Sequence, residues 1–165
     1  MLFGSDLFTN VHVAISLIGI LAGFVVLFQM LGGTKSAGVT LIFLVFTVLT
    51  SATGFFFKET VPQPTPAQIF GVVSLALLIV ALFALYARNL AGPWRWIYVV
   101  TALIAQWINV FVLFFQLFLK VPSLHALAPG IPPSGPVFGG VQGVVLIFFL
   151  VSGYLALRRF HPRAM

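Results

Sequence analysis

Five apolar segments dominate the sequence, and each is close to the length that crosses a bilayer. They cover residues about 11–31, 36–57, 66–87, 93–121 and 136–157, separated by short stretches rich in Gly, Pro or charged residues. A bilayer core about 30 Å thick needs roughly 20 helical residues. Because backbone groups inside lipid must be paired within their own segment, each span is expected to be a helix. The sequence therefore predicts an all-α integral membrane protein: a single membrane domain, residues 1–165, formed by a bundle of five transmembrane helices.

The composition excludes most soluble classes of protein. The chain is 61% hydrophobic and only 6% charged, whereas soluble domains have about 25% charged residues. It has no cysteine, which excludes disulfides, thiolate metal sites and cysteine nucleophiles. The net charge of +6 does not indicate nucleic-acid binding, because the basic residues are scattered at predicted helix ends. The expected partner is the lipid bilayer.

The positions of the basic residues predict the orientation of the bundle. Five spans place six basic residues on one side of the membrane: Lys35, Arg88, Arg95, Arg158, Arg159 and Arg163. The other side receives Lys58 and Lys120, together with Asp6 and Glu59. Because Lys and Arg accumulate in cytoplasmic loops, the first side is expected to be cytoplasmic. The N-terminus is then predicted to lie outside and the C-terminus inside.

The fourth segment, Trp94 to Val121, carries three carboxamides in an otherwise apolar stretch. At 100° per residue, Gln106, Asn109 and Gln116 fall on one strip about 80° wide. Amides at that depth need hydrogen-bond partners. The fourth helix is therefore predicted to be central, with a neighbouring helix facing its strip.

The second segment offers a matching set of hydroxyls from mid-membrane outward. We therefore expect the second helix to pack against the fourth, with one polar strip formed by Thr47, Thr50, Ser51, Gln106, Asn109 and Gln116. Two interpretations are open. The strip either holds helices together, with Ser and Thr bonding carbonyls of their own helix, or lines a ligand-binding site.

Glycines spaced four residues apart predict close helix packing in two segments. These are Gly19 and Gly23 in the first, and Gly139 and Gly143 in the fifth. Such spacing lets another backbone approach closely. The contact is either within the chain or between two copies in a dimer.

Neither catalysis nor a cofactor is predicted. His12 is the one histidine near a span, whereas His125 lies in a loop and His161 in the tail, so a bis-histidine haem lacks its second ligand. With no thiol and few carboxylates, no metal site is expected. No charged residue is predicted inside a span, so a proton relay lacks its groups. No hydrolase or phosphate-loop motif is present.

The segment from Lys120 to Gly135 is long and rich in proline for a connector. Its apolar residues predict that it lies along the membrane surface or dips into the mouth of the bundle. It is either a lid over the Gln116 end of the strip or a stiff connector.

Two stretches carry a family resemblance: TSATGFFF (Thr50 to Phe57) and INVFVLFFQLFLKVPSLHALAP (Ile108 to Pro129). In these the chain resembles a group of small bacterial inner-membrane proteins. The resemblance implies a location in the bacterial inner membrane, and it implies no activity, cofactor or catalytic residue.

Three functions are consistent with these patterns. The first is a non-enzymatic structural or accessory subunit that packs in a homo-oligomer or against a partner membrane subunit. The alternative is a carrier or channel for a small neutral or amphipathic molecule. A quinone- or haem-associated redox subunit would rest on His12, Tyr98 and Trp107.

Overall fold

The computed structural model describes residues 7–57 and 66–162, and over these ranges the chain is helical with no strand. The helices are α1 (Leu7–Leu31), α2 (Ala37–Thr53), α3 (Pro66–Leu82), α4 (Trp94–Lys120), α5 (Pro122–His125) and α6 (Pro136–Arg159). A 3-10 turn, Gly54–Phe56, extends α2, and a π turn, Phe83–Ala87, extends α3. With these extensions, five helices are long and apolar enough to cross a membrane. The predicted all-α fold with five such helices is confirmed, and α5 is a short helix that the sequence did not predict.

The central helix of the bundle is α4, as the sequence predicts. Half of its most apolar window is buried (50%), against 28–33% in the other four long helices. Helices α1, α3 and α6 all pack against it. Its buried face combines Tyr98 with the small residues Ala102 and Ala105, each at most 1% exposed. Small side chains let three neighbours approach one helix, which explains why α4 occupies the centre.

The main neighbours of α2 are α1 and α3, and its contact with α4 is narrow. The close approach of α1 to α2 depends on Gly19, where an added Cβ would lie 3.3 Å from the backbone carbon of Phe46. The second helix therefore does contact α4, as expected, but α1 and α3 are its main neighbours. Matching depth in the membrane does not determine which helices are neighbours, and the glycine brings α1 alongside α2.

The two ends of the bundle differ in charge, and we name them the Arg95 end and the Lys120 end. The Arg95 guanidinium donates to the carbonyls of Leu157 (2.9 Å) and Phe160 (2.7 Å), so it caps the C-terminus of α6. The other described cations at this end are Lys35, Arg88, Arg158 and Arg159. Lys120 lies at the opposite end. Four residues of the charge count fall outside the described ranges: Asp6, Lys58, Glu59 and Arg163.

Candidate functional site

A cavity of about 420 Å³ lies between α1, α2, α3 and α4, in the half of the bundle nearer the Lys120 end. Most of its wall is apolar, with side chains such as Ile108, Val112 and Leu113. Its polar lining consists of Thr9, His12, Ser16, Thr50, Ser51, Ser74, Asn109, Gln116 and Lys120. A mainly apolar cavity of this size with a few convergent polar groups is typical of a small-molecule site.

We call the part of the cavity nearest the Arg95 end its floor. A hydrogen bond between α4 and α1 lies next to it. Gln106 is fully buried, and its Nε2 donates to the carbonyl oxygen of Ile20 at 2.8 Å. Gly23 makes room for this contact, since an added Cβ there would collide with the Gln106 carboxamide. Ile20 lines the cavity and Gln106 does not, so the bond lies just beyond the cavity lining, towards the Arg95 end. The partner of Gln106 therefore lies in α1, and not in α2 as expected.

Most hydroxyl protons around the cavity are already used. Ser16 donates to the carbonyl of His12 and Thr50 to that of Phe46, both at 2.8 Å. The Ser51 and Ser74 hydroxyls are bonded to each other at 3.1 Å, which uses one of their two protons. Since a hydroxyl has two lone pairs and one proton, these side chains mainly offer acceptor capacity to the cavity.

The imidazole of His12 adds a further acceptor at the cavity wall. Its Nδ1 lies 2.7 Å from Thr53 Oγ1, and the Thr53 hydroxyl donates to the Leu49 carbonyl at 2.6 Å. Because that proton is directed at a carbonyl, Nδ1 has to be the donor in the pair. In the neutral ring Nε2 then carries a lone pair. The ring is also held edge-on to Phe57, with centroids 4.9 Å apart.

Asn109 is the most buried unpartnered polar side chain on the cavity wall. It is 7% exposed, and its Nδ2 is enclosed without a hydrogen-bond partner. Its Oδ1 is not among the enclosed atoms. The accessible part of the carboxamide is therefore this oxygen, which reaches the cavity. Leaving a buried polar group unpaired costs about 1–3 kcal/mol. The half-buried Gln116 likewise has no hydrogen bond to any residue that the structure describes.

Four of the six predicted strip residues meet in this cavity: Thr50, Ser51, Asn109 and Gln116. Gln106 lies next to the floor, and Thr47 is fully buried away from the cavity with an unpartnered Oγ1. The sequence did not single out Ser74, although it is the one hydroxyl residue of α3. A single hydroxyl residue in an otherwise apolar helix was the sequence feature that could have identified Ser74 as a lining residue.

The two glycine pairs differ in their surroundings. Gly19 and Gly23 both lie at close contacts between helices, whereas a Cβ at Gly139 or Gly143 would meet no heavy atom of residues 7–57 and 66–162 within 4 Å. Among these residues, none packs closely on the latter pair. Other residues hold α6 on α4: Phe138 packs against Phe118 with centroids 5.4 Å apart, and Gln142 Nε2 donates to the Phe111 carbonyl at 3.1 Å.

Three other expectations have simple structural outcomes. No residue of 121–135 lines the cavity. Of the residues proposed for a redox site, His12 lines the cavity, and Tyr98 and Trp107 do not. Within residues 7–57 and 66–162, no three His, Asp or Glu side chains form a group that could hold a metal ion.

Comparison with known proteins finds no match for this chain among protein-family models, curated proteins or solved structures. No function is transferred from a relative. The functional argument therefore rests on the cavity and its lining residues.

Proposed function

We propose that this is a multi-pass membrane protein that binds one small, neutral, amphipathic molecule in the cavity between α1 and α4. The observation that carries the proposal is the Asn109 carboxamide, buried on an apolar wall without a partner. Its Oδ1 is open to the cavity without a hydrogen-bond partner. An unpaired polar group inside a membrane is costly, so a donor group on a bound molecule would stabilise it. Transport and retention of such a molecule both begin with occupancy of this cavity.

The same proposal includes an orientation, with the N-terminus outside and the C-terminus in the cytoplasm of a bacterial inner membrane. Its support is the concentration of cations at the Arg95 end, which the positive-inside rule assigns to the cytoplasm. Exposed aromatic side chains at that end fit an interfacial belt: Tyr86, Trp96 and Tyr154. In this orientation the cavity lies in the outer half of the membrane.

Filling the cavity tests the binding function. Ser16 lines the cavity, and its hydroxyl bonds only within α1, so Ser16→Phe should occupy the site at little cost to the helix. Native mass spectrometry of gently extracted wild-type protein should show a small-molecule adduct that Ser16→Phe loses. The matched control is Ala14→Phe, because Ala14 is exposed on the same helix and does not line the cavity.

Two results would reject the proposal. One is an adduct that Ser16→Phe retains at the wild-type level, and the other is the absence of any adduct from both the wild type and Ala14→Phe.

A structural or accessory subunit is the second candidate function, favoured by the open glycine face of α6. No described residue lies within 4 Å of a Cβ added at Gly139, Gly140 or Gly143, so a helix of another subunit could approach closely there. The native spectrum separates the two functions, since a second subunit bound without a small-molecule adduct would favour this one.

A further inference from the structure

We infer that the molecule bound in the cavity carries an uncharged hydroxyl group at its buried end and an apolar chain towards the Lys120 end. This inference rests on the proposed binding function and names the class of ligand: a neutral, hydroxyl-bearing amphiphile. It follows from the number of donors and acceptors that the cavity wall has left unpaired.

Near the floor, the accessible acceptors outnumber the accessible donors, whereas Gln116 and Lys120 add N–H donors nearer the Lys120 end. The hydroxyl oxygens of Ser16 and Thr50 keep lone pairs after donating their protons to backbone carbonyls. Neutral His12 presents the lone pair of Nε2, because Nδ1 donates to Thr53. Asn109 Oδ1 adds another acceptor near the floor, where no described residue bonds it. A ligand that only accepts hydrogen bonds would leave these groups unpaired, whereas a hydroxyl proton can bond one of them.

A hydroxyl also accepts, and the floor has a donor for it. The Ser51 and Ser74 pair has one proton that is not used between them, and both side chains line the cavity with Asn109. If the Asn109 carboxamide turned by 180°, it would present its NH₂ group to the cavity instead of Oδ1. A hydroxyl group pairs with either orientation, because it is both a donor and an acceptor.

The buried end of the ligand should be uncharged. Near the floor, the described lining residues are Ile20, Ser51, Ser74 and Asn109, none of which is ionised. A carboxylate or ammonium group placed there would be buried without a counter-charge, which is far more costly than burying a hydroxyl. Lys120, the cation on the wall, is eleven residues further along α4, or about 16 Å away.

The test compares three probes that share thirteen heavy atoms: dodecan-1-ol, its isomer 1-methoxyundecane and the hydrocarbon tridecane. The ether keeps the acceptor oxygen and lacks the proton, and the hydrocarbon lacks both. Apparent affinities come from the rise in unfolding temperature with probe concentration in one detergent, because a ligand stabilises the folded state by mass action. The wild type should bind dodecan-1-ol about tenfold more tightly than the ether, as expected for one buried hydrogen bond.

Asn109→Leu removes the carboxamide and keeps a similar volume. It should reduce the preference for dodecan-1-ol over tridecane by about tenfold and leave tridecane binding unchanged or tighter. The preference is a ratio within one variant, so partitioning of the probes into micelles cancels between variants. Thr101→Val is the matched control on α4, since Thr101 bonds its own helix and does not line the cavity; it should keep the wild-type preference.

The outcomes separate this inference from the proposed function. If all three probes stabilise the wild type equally, the cavity binds apolar chains without reading a polar group, and the hydroxyl inference is wrong. If no probe stabilises the wild type, the binding function itself is rejected. The wild-type comparison remains decisive if Asn109→Leu fails to fold, provided that each probe concentration is corrected for its measured partitioning into micelles.

Discussion

At the scale of single residues, the absence of a side chain at Gly23 allows α1 and α4 to pack closely. Gly23 leaves the space in α1 that the Gln106 carboxamide fills, and Gln106 Nε2 then reaches the Ile20 carbonyl. The carboxamide Oε1 has no partner among the residues that the structure describes. One bond of this kind contributes little, typically about 0.6 kcal/mol in a membrane bundle. The steric fit between Gly23 and the Gln106 carboxamide is therefore expected to contribute more to the stability of the bundle than the hydrogen bond does.

Gly23→Ala should destabilise the bundle by about 1–3 kcal/mol, because the new methyl group overlaps the Gln106 carboxamide and forces a shift in a packed core. The measurement is thermal unfolding in detergent. Gly38→Ala is the control, since its methyl group would meet no described residue within 4 Å, and it should stay close to the wild type.

A double mutant separates this overlap from a general cost of alanine in α1. Gln106→Ala removes the carboxamide, so adding it to Gly23→Ala should recover part of the lost stability, with a coupling energy measurable in a double-mutant cycle. Strictly additive effects of the two substitutions would show that the overlap is not the cause.

At the scale of helices, the sequence predicts the elements better than their neighbours. The length of each apolar segment determines that it is a helix and roughly where it ends, since lipid allows few other structures. The polar face of α4 follows from helical periodicity alone, and four of the six strip residues do share a cavity. The partner of Gln106 could not be predicted, because the choice between α1 and α2 depends on how two helices approach at Gly19 and Gly23.

The role of Arg95 in joining helices was also not predicted from the sequence, where Arg95 served only as evidence for the orientation of the bundle. Its two bonds pair carbonyls that the end of α6 would otherwise leave without an intrahelical partner. Hydrogen bonds from a charged donor to a partly buried acceptor contribute more than neutral ones. One side chain of α4 therefore fixes the end of α6.

Arg95→Met should loosen the end of α6 while leaving the helix in place. We expect a loss of about 1–3 kcal/mol in unfolding free energy and faster hydrogen exchange of the amides in the last turn before Phe160. Arg158→Met is matched in charge, and the Arg158 guanidinium contacts the Tyr154 ring at 5.2 Å instead of capping carbonyls. Equal exchange rates in the two variants would contradict a capping role for Arg95.

At the scale of the whole molecule, most of the described cations lie at one end of the bundle and the cavity lies in the opposite half. The Arg95 end holds Arg95 and four other described cations, whereas the cavity lies in the half near Lys120. The Gln106 bond to Ile20 lies beyond the cavity on the side of the cations. In the proposed function, a molecule would therefore enter the cavity from the Lys120 end or from the side of the bundle near it. Which compartment supplies the ligand depends on the orientation of the bundle.

Single cysteines determine that orientation, because the natural chain contains none. Ile131 is 88% exposed in the segment at the Lys120 end, and Ala91 is exposed in the turn before α4. A membrane-impermeant maleimide added to intact cells should label Ile131→Cys and should label Ala91→Cys only after the membrane is permeabilised, with the cysteine-free wild type as the blank. The reverse pattern would place the Arg95 end outside, and the cavity would then receive its ligand from the cytoplasmic half of the membrane.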